Sequence, residues 1–339
     1  MIFGQNNSLL GVDIGSSSIK IVELSKGPHP TLITYGIVDI PEPITLQSTD
    51  EQIQKTVVLL KSLMEKARVS TKNSVMSLPN AAVFTSVIDM PKLSEKEMES
   101  AIQFEAKKYV PLPFSDVTLS WTVISDNEDG TTCKVLLIAV PKQIRDIYVK
   151  LFQQAGLNLE IIEIEALSLI RCLVLEKDKN DVIIDIGARV TGLNFVRHGT
   201  LQLTRNLGIG GDTITERIAQ ALNLSMPRAE QFKRDFGLRN TDFLPEAVKP
   251  VLAMMKNEIS QIMGIYKAHN VAVDRIIVVG GGAALPGITD YFPAELGVKA
   301  MVGDPLAGLV YAEAVKPILS RFALHLPIAI GLAMRQETV

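Results

Sequence analysis

The sequence predicts an α/β protein of two duplicated lobes that face each other across a ligand cleft, with a small α+β subdomain inserted into the first lobe. Three observations predict it. LLGVDIGSSSIKIVEL at 9–24 is echoed by DVIIDIGARVTGLNFV at 181–196, and each lays an apolar strand, an Asp-x-Gly turn and a second strand in order. A chain of 339 residues exceeds one ordinary core and suits two. Between the echoes, a stretch from about 80 to 160 keeps an αβ rhythm of its own.

The elements follow in order. LLGVDI, SIKIVEL and TLITYGIVDI alternate apolar and polar side chains and read as a three-strand meander, with Gly27-Pro28 between the last two. A helix is expected at about 49–68, opened by Ser48-x-x-Glu51 as a capping box and striped by Ile53, Val57, Leu60 and Met64. In the inserted stretch AVFTSVIDM is strand-like. Ser94-x-x-Glu97 opens a helix, with Leu93 and Met98 spaced as a hydrophobic staple. VTLSWTVI and CKVLLIAV form a hairpin across SDNEDGTT. A helix at about 142–155 carries Ile144, Ile147, Leu151 and Phe152 and stops at Gly156.

The second half repeats the theme of the first. LEIIEI leads into a helix beginning near Glu165, and DVIIDI and TGLNFV flank the second turn. LQLTRNLGIGGD runs into a helix at about 213–222 with Asp212 as its N-cap. Helices follow at about 227–236, ended by Gly237, and at about 248–268. RIIVVGGGAALPGI reads as a buried strand, a glycine turn and a helix start. These elements divide the chain into a first lobe at about 1–79, completed by about 160–180 and 311–339, and an inserted subdomain at about 80–159. The second lobe takes about 181–310, with a helical part at about 226–274. No low-complexity linker separates the halves, so helices join them.

Composition narrows the function classes. Lys+Arg number 34 against 37 Asp+Glu, a net charge of -3, which argues against the basic face of a nucleic-acid binder. MIFGQNNSLL lacks the charged and apolar regions of a signal peptide. No apolar run reaches the roughly 18–20 residues of a membrane helix, and LHLPIAIGLAM is interrupted by His325 and Pro327. Cys133 and Cys172 have no CxxC partner, and His29, His198, His269 and His325 are scattered. The expectation is a soluble protein of the reducing cytosol.

The turns carry the chemistry. A strand rather than a helix follows each one, which rules out a dinucleotide-binding fingerprint. A strand-turn-strand tip of small residues can instead aim several backbone N–H groups at one anion. Gly15 with Ser16, Ser17 and Ser18 supplies such a tip, and Lys20 adds a cation that can neutralise phosphate. Asp13 and Asp185 precede the two glycines at equivalent places. Facing each other, their carboxylates can hold a hydrated Mg²⁺ on a polyphosphate. One such turn alone reads as an ordinary β-turn; its duplication favours the phosphate site. GIGGD at 208–212 and GGG at 280–282 can let a flat ring or a phosphate approach the backbone. Glu230 and Lys233 of AEQFKRDFG point to one side of a helix, a pair that by itself reads as a solvated ion pair.

Taken in order, GVDIGSSSIK, IEIEALSLIRCL, DVIIDIGARVTGL, RIIVVGGGAALPGI and PIAIGLAM resemble the signature segments of the actin and 70-kDa heat-shock chaperone ATPase fold. These are its two phosphate loops, its two connecting helices and its adenosine segment. The resemblance implies ATP and Mg²⁺ between the lobes. It places Asp13 and Asp185 on the metal's waters; Gly15, Ser16, Ser17, Lys20 and Gly187 on the phosphates; and Glu165 beside the attacking water, with Asp185 and Glu165 as the catalytic pair. Gly208, Gly210, Gly211 and Asp212 would flank the nucleotide. Glu230 and Lys233 would sit beside the ribose and adenine, as would Gly281 and Gly282.

Within that superfamily LLGVDIGSSSIKIVEL, QFEAKKYVPLPFSDV at 103–117, AEQFKRDFG and PIAIGLAM look like the PilM family, the actin-like proteins of type IV pilus assembly. The inserted stretch is similar to the subdomain that this family shares with the cell-division protein FtsA. The resemblance implies a cytoplasmic scaffold at the inner face of the inner membrane, attached through its partners. It would dock the N-terminal peptide of the bitopic protein PilN in a cleft bordered by the inserted subdomain, where VPLPF can line a groove. It would also meet other pilus assembly proteins, and self-association stays open. One departure bears on catalysis. Strong ATPases of the superfamily carry Gly-Gly-Gly-Thr after the second aspartate, whereas this chain has Gly187-Ala188-Arg189-Val190-Thr191, so binding of ATP is expected with weak hydrolysis at most. Two rivals remain: a filament-forming cell-division protein like FtsA, against which the ending MRQETV counts, and a sugar kinase, for whose general base no distinctive motif stands out.

Overall fold

Two five-stranded sheets with the same strand order, and a three-stranded sheet between them in sequence, organise the computed structural model, which describes residues 8–126, 130–239, 244–268 and 270–335. The first sheet opens with β1 (Ser8–Ile14), β2 (Ser18–Ser25) and β3 (Leu32–Asp39), an antiparallel meander. Helix α1 (Asp50–Ala67) returns the chain to β4 (Asn73–Leu78), parallel to β1. The small sheet follows, built from β5 (Phe84–Pro91), α2 (Glu95–Glu105), β6 (Val117–Asp126) and β7 (Thr132–Pro141) in strand order β5-β7-β6. Helix α3 (Lys142–Ala155) and β8 (Asn158–Ile164) then complete the first sheet as β3-β2-β1-β4-β8.

Helix α4 (Glu165–Leu173) leads into the second sheet. Its strands β9 (Asn180–Ile186), β10 (Thr191–Arg197) and β11 (Thr200–Leu207) repeat the meander. Three helices follow, α5 (Gly211–Leu222), α6 (Met226–Phe236) and α7 (Leu244–Lys267). After them come β12 (Arg275–Val279), α8 (Ile288–Leu296) and β13 (Ala300–Val302), giving the order β11-β10-β9-β12-β13. Helices α9 (Lys316–Phe322) and α10 (Pro327–Ala333) end the described chain. The two sheets thus match strand for strand, with β1 opposite β9 and β2 opposite β10.

Most elements fall where periodicity places them, and the exceptions are local. Helix α1 is capped by Thr49 with Gln52 rather than by Ser48 with Glu51; the Gln52 N–H donates to Thr49 Oγ1 at 3.3 Å and the Thr49 N–H to Gln52 Oε1 at 2.8 Å. Of the expected staple, Met98 is buried while Leu93 stays exposed. Helix α5 starts at Gly211, so Asp212 lies inside its first turn and Gly210 is the cap. The middle of SDNEDGTT, the first seven residues, His269 and the last four residues of the chain lie outside the described residues.

Three cores hold the two large sheets. Helices α1 and α3 cover one face of the first sheet, where Leu60, Met76, Leu151 and Phe152 pack. Helices α5 to α8 cover one face of the second, around Phe195, Met255, Ile259 and Phe292. The third core joins them: Val22 and Val75 from the first sheet, Ile183 and Ile277 from the second, and Leu169, Ala329 and Leu332 from α4 and α10 form one cluster. Strand β1 is consequently buried along its whole length, as its near-continuous apolar sequence requires. The small sheet has a core of its own, with Ile88, Met98, Ile102, Val135 and Leu137. Its other face meets α4 and β11 through Leu136, Ala166 and Leu201.

The crossing of α4 and α10 is a tight joint. A Cβ on Gly331 would overlap the carbonyl of Ser168, so only glycine lets the helices approach this closely. Arg171 donates to the Gly331 carbonyl and is held by buried Glu163 at 2.9 and 3.0 Å. Arg335 reaches the same carboxylate at 2.8 Å. Gly331→Ala is therefore expected to destabilise the protein by about 1–3 kcal/mol, read as a lower denaturant midpoint; an unchanged midpoint would show that the helices can separate freely.

Candidate functional site

The two Asp-x-Gly turns are one structure built twice. In the first hairpin Asp13 pairs with Lys20 and Ile14 with Ile19, and the Gly15 N–H donates to the Ser18 carbonyl at 3.0 Å. In the second, Asp185 pairs with Gly192 and Ile186 with Thr191, and the Gly187 N–H donates to the Val190 carbonyl, also at 3.0 Å. The tips differ: Ser16-Ser17 stands opposite Ala188-Arg189. The counterpart of Lys20 is Gly192, where the amide of Asn80 lies 3.4 Å from the position a Cβ would take. Both turns line a single cavity of about 1310 Å³, which also takes in Glu165, Glu230, Lys233 and the glycines at 280–282.

Acid dominates the cleft floor. Lys20 Nζ sits 3.1 Å from Asp13 Oδ2, with side-chain exposures of 15% and 3%. Burial works against the Lys20 ammonium, but the surrounding Asp13, Asp185 and Glu165 outweigh it and raise its pKa. Burial, with Asp13 adding to it and Lys20 opposing it, pushes Asp185 up to about 6. Glu165 opens α4 and accepts the Asn80 N–H at 3.3 Å. Burial and the charges of Asp13 and Asp185 hold its pKa well above the ordinary carboxylate value against that N–H and Lys20. One lysine thus serves three carboxylic acids, an imbalance that a divalent cation or proton uptake relieves. Hard carboxylate oxygens are the donor set that Mg²⁺ prefers. Among the described residues no three His, Cys, Asp or Glu side chains enclose a metal by themselves, so a metal here needs water and ligand oxygens to fill its shell.

The far end of the cleft is built on α5 and α6. Glu230 accepts from Thr215 Oγ1 at 2.6 Å, Lys233 Nζ at 2.6 Å and Arg234 Nε at 2.8 Å. Lys233 also donates to the Gly211 carbonyl at 3.0 Å, tying α6 to the first turn of α5, and is only 13% exposed. Burial opposes ionisation of Glu230, but those three donors prevail and hold its pKa down to about 2. The pair is a fixed wall of the cleft rather than a solvated ion pair.

Comparison with known proteins places this architecture. The profile of the family described as "Type IV pilus assembly protein PilM" matches residues 11–337. The chain belongs to the PilM family. A chain of the solved PilM-PilN type IV pilus biogenesis complex is similar to this PilM-family chain with a TM-score of 0.85 at 26% identity, covering 96% of this chain and 98% of that one. Cell division protein FtsA of Streptococcus pneumoniae is 22% identical over 87% of this chain and 75% of its own length. The fold extends to MreB 5 of Spiroplasma citri, solved bound to AMPPNP, with a TM-score of 0.53 at 13% identity over 97% of this chain and 95% of that one. The fold is thus the actin-like ATPase fold, two duplicated lobes about a cleft with a small α+β insertion.

In this PilM-family chain Asp13, Gly15, Ser16, Ser17, Lys20, Glu165, Asp185, Gly187, Gly211, Asp212, Glu230, Lys233, Gly281 and Gly282 all line the one cavity. Gly208 and Gly210 do not. Gly210 lies beneath the second turn, where a Cβ would stand 2.6 Å from the Gly187 carbonyl. The next two N–H groups, of Gly211 and Asp212, donate to the carbonyls of Gly187 and Ala188 at 2.9 and 2.8 Å. Arg189 leans to Asp212 at 3.6 Å. Sequence reasoning passed over Asn80, Tyr148, Thr215 and His325, which also line the cleft. Tyr148 belongs to the apolar face of α3 and reads as core. Its phenol is nevertheless pushed up, by burial first and then by Glu165 and Asp13, and stays a proton donor.

The raised acids have a stability consequence. Between about pH 4 and 6 the folded chain keeps a proton on Asp185 that the unfolded chain has released, so this group's contribution to stability falls as pH rises through that window. Asp185→Asn is expected to be more stable than the parent at pH 7.5 by on the order of 1–2 kcal/mol, with the difference vanishing near pH 4. Urea titrations at the two pH values check this, and a variant destabilised at pH 7.5 would contradict it.

Proposed function

We propose that this chain is an ATP-binding scaffold of type IV pilus assembly, which holds Mg²⁺-ATP in the cleft and docks the N-terminal peptide of a PilN-type membrane partner beside the inserted subdomain. The observation that carries the reading is the duplicated turn, with both tips facing one cavity and Lys20 between three acids. Ser16 and Ser17 supply hydroxyl donors to phosphate oxygens, the N–H groups of the first tip join them, and Lys20 supplies charge. Asp13 and Asp185 hold the metal's waters, and Glu165 orders a water near the terminal phosphate. Glu230 and Lys233 border the ribose and base. When bound, Mg²⁺ supplies the positive charge that the cleft floor lacks.

The second tip favours slow hydrolysis. Ala188 and Arg189 put side chains where a glycine tip would let backbone N–H groups close on a phosphate, and phosphoryl transfer depends on such positioning. The peptide site follows from the cavity's reach. Its volume exceeds the roughly 300–1,000 Å³ of ordinary ligand pockets, and its lining includes Phe84, Leu112, Pro141 and Ile144 as well as the two turns. These residues are apolar, and Phe84 and Pro141 belong to the inserted sheet, which suits an extended peptide with apolar side chains. The likeness to a chain of the PilM-PilN complex supports the same partner. Among the described residues no single helix is long and apolar enough to cross a membrane, and attachment to the inner face of the membrane runs through the partner. We place the inserted subdomain at about 80–141 rather than 80–159, because α3 packs beside α1 on the first large sheet, and the other lobe boundaries near residues 180 and 311.

Asp185→Ala is expected to weaken Mg²⁺-ATP binding at least about tenfold by calorimetry; full retained affinity would remove the second turn from the phosphate site. A pull-down from membrane extract with Mg²⁺-ATP should capture a bitopic membrane protein through its short N-terminal segment. Pelleting of the protein alone with Mg²⁺-ATP and vesicles would favour an FtsA-like filament instead, and sugar-stimulated ATP turnover a kinase.

A further inference from the structure

Gly192 of β10 stands across from Asp185 on one side and from Asn206 on the other. Three amide ends surround the point its Cβ would take: Asn80 Nδ2 at 3.4 Å, Asn194 Nδ2 at 3.8 Å and Asn206 Oδ1 at 3.9 Å. Asn194 is fully buried. Its Oδ1 accepts from Thr204 Oγ1 at 2.8 Å, whereas its Nδ2 has no hydrogen-bond partner among the described residues. Asn80 is buried as well, and it is the residue whose backbone N–H donates to Glu165. Both Gly192 and Asn80 line the cleft. The amides thus frame a recess over the Gly192 Cα at the edge of the cleft. A buried amide without a partner is disfavoured, and folded proteins satisfy such groups with ordered water where the protein supplies none.

We propose that the recess at Gly192 is a binding site for one water molecule, and that this water clasps Asn80 to the second lobe and so holds its N–H on Glu165. The ligand class follows from the groups around the recess. Two N–H donors and one carbonyl acceptor match water, which accepts from Asn80 and Asn194 and donates to Asn206. Three such bonds are the usual complement of a buried water. A phosphate oxygen can only accept; it would face the Asn206 carbonyl and the carboxylate of Asp185, the cross-strand neighbour on the same face. A metal cation would face two amide N–H groups. Asn80 opens the short turn that leads into β5, so the water links the start of the inserted segment, the first acid of α4 and the second hairpin. Asn80 is thereby a positioning residue that acts on the cleft through Glu165. The site stands apart from the ATP reading and needs no nucleotide.

Gly192→Ala in the full chain separates this site from plain packing. A methyl group fits there, since the nearest atom, Asn80 Nδ2, is 3.4 Å away, and replacing a strand glycine where there is room ordinarily stabilises. A methyl that takes the water's place and strands two amides is expected instead to lower the melting temperature. The Asn80 N–H should then exchange with solvent about tenfold faster, the scale of one lost hydrogen bond. Gly192→Ser is larger but puts a hydroxyl where the water oxygen sits, so it should recover the parent's melting temperature and exchange rate. Asn80→Ala should speed the same N–H, with no further increase when combined with Gly192→Ala. A high-resolution crystal structure of the parent should show a water within hydrogen-bond distance of all three amides, and it decides alone if a variant fails to fold. An alanine variant as stable as the parent with unchanged exchange, a serine variant worse than the alanine one, or a parent crystal structure with no water at the recess would overturn the site.

Discussion

Everything in the cleft depends on the crossing of α4 and α10, where a glycine rests on a carbonyl and an arginine ties the same spot to a buried glutamate. The first sheet ends at α4, and α10 packs back against β1 and β2. The core they share draws residues from both sheets. Because α4 begins with Glu165, the joint that fixes the spacing of the sheets also sets one of the acids of the cleft. Helix packing and site geometry are therefore linked through one shared core.

The cleft floor is held in an electrostatically unfavourable state by that packing. Asp13 gains from Lys20, but Asp185 and Glu165 lie where burial and mutual repulsion disfavour their charge. A fold under no other demand would replace them with apolar or amide groups and gain stability. Proton uptake or a nearby positive charge relieves that cost. At the other end Glu230 is fully satisfied by three donors, so that wall is rigid before anything binds. The cleft thus combines an ion-paired wall with a floor in excess of acid.

Legibility followed the range of the interactions involved. The two turns, the strands around them and α3 with its stop at Gly156 depend on neighbours a few residues away, and their periodicity reveals them. The cap of α1 shifted by one residue because Ser48, Thr49, Glu51 and Gln52 offer two overlapping boxes, and only the loop before the helix selects between them. The start of α5 depends on Gly210 tucking under the second turn, a contact between elements that no local pattern encodes. Tyr148 and His325 are harder still: one sits in an apolar stripe and the other in an isolated position, and only the closing of the two sheets brings them to the cleft. Asn80 contributes a backbone N–H to Glu165, which leaves no trace in residue type.

The exchange of Lys20 for Gly192 breaks the likeness of the two halves at one point. A symmetric pair of hairpins would present the same charge from both sides, and an anion between them could lie either way round. Here one half presents an ammonium group and the other a vacant Cβ position with an amide beside it. The duplicated frame thereby loses its symmetry at this position: one lobe carries a buried charge where the other has none, and the two lobes cease to be interchangeable although their strand orders match.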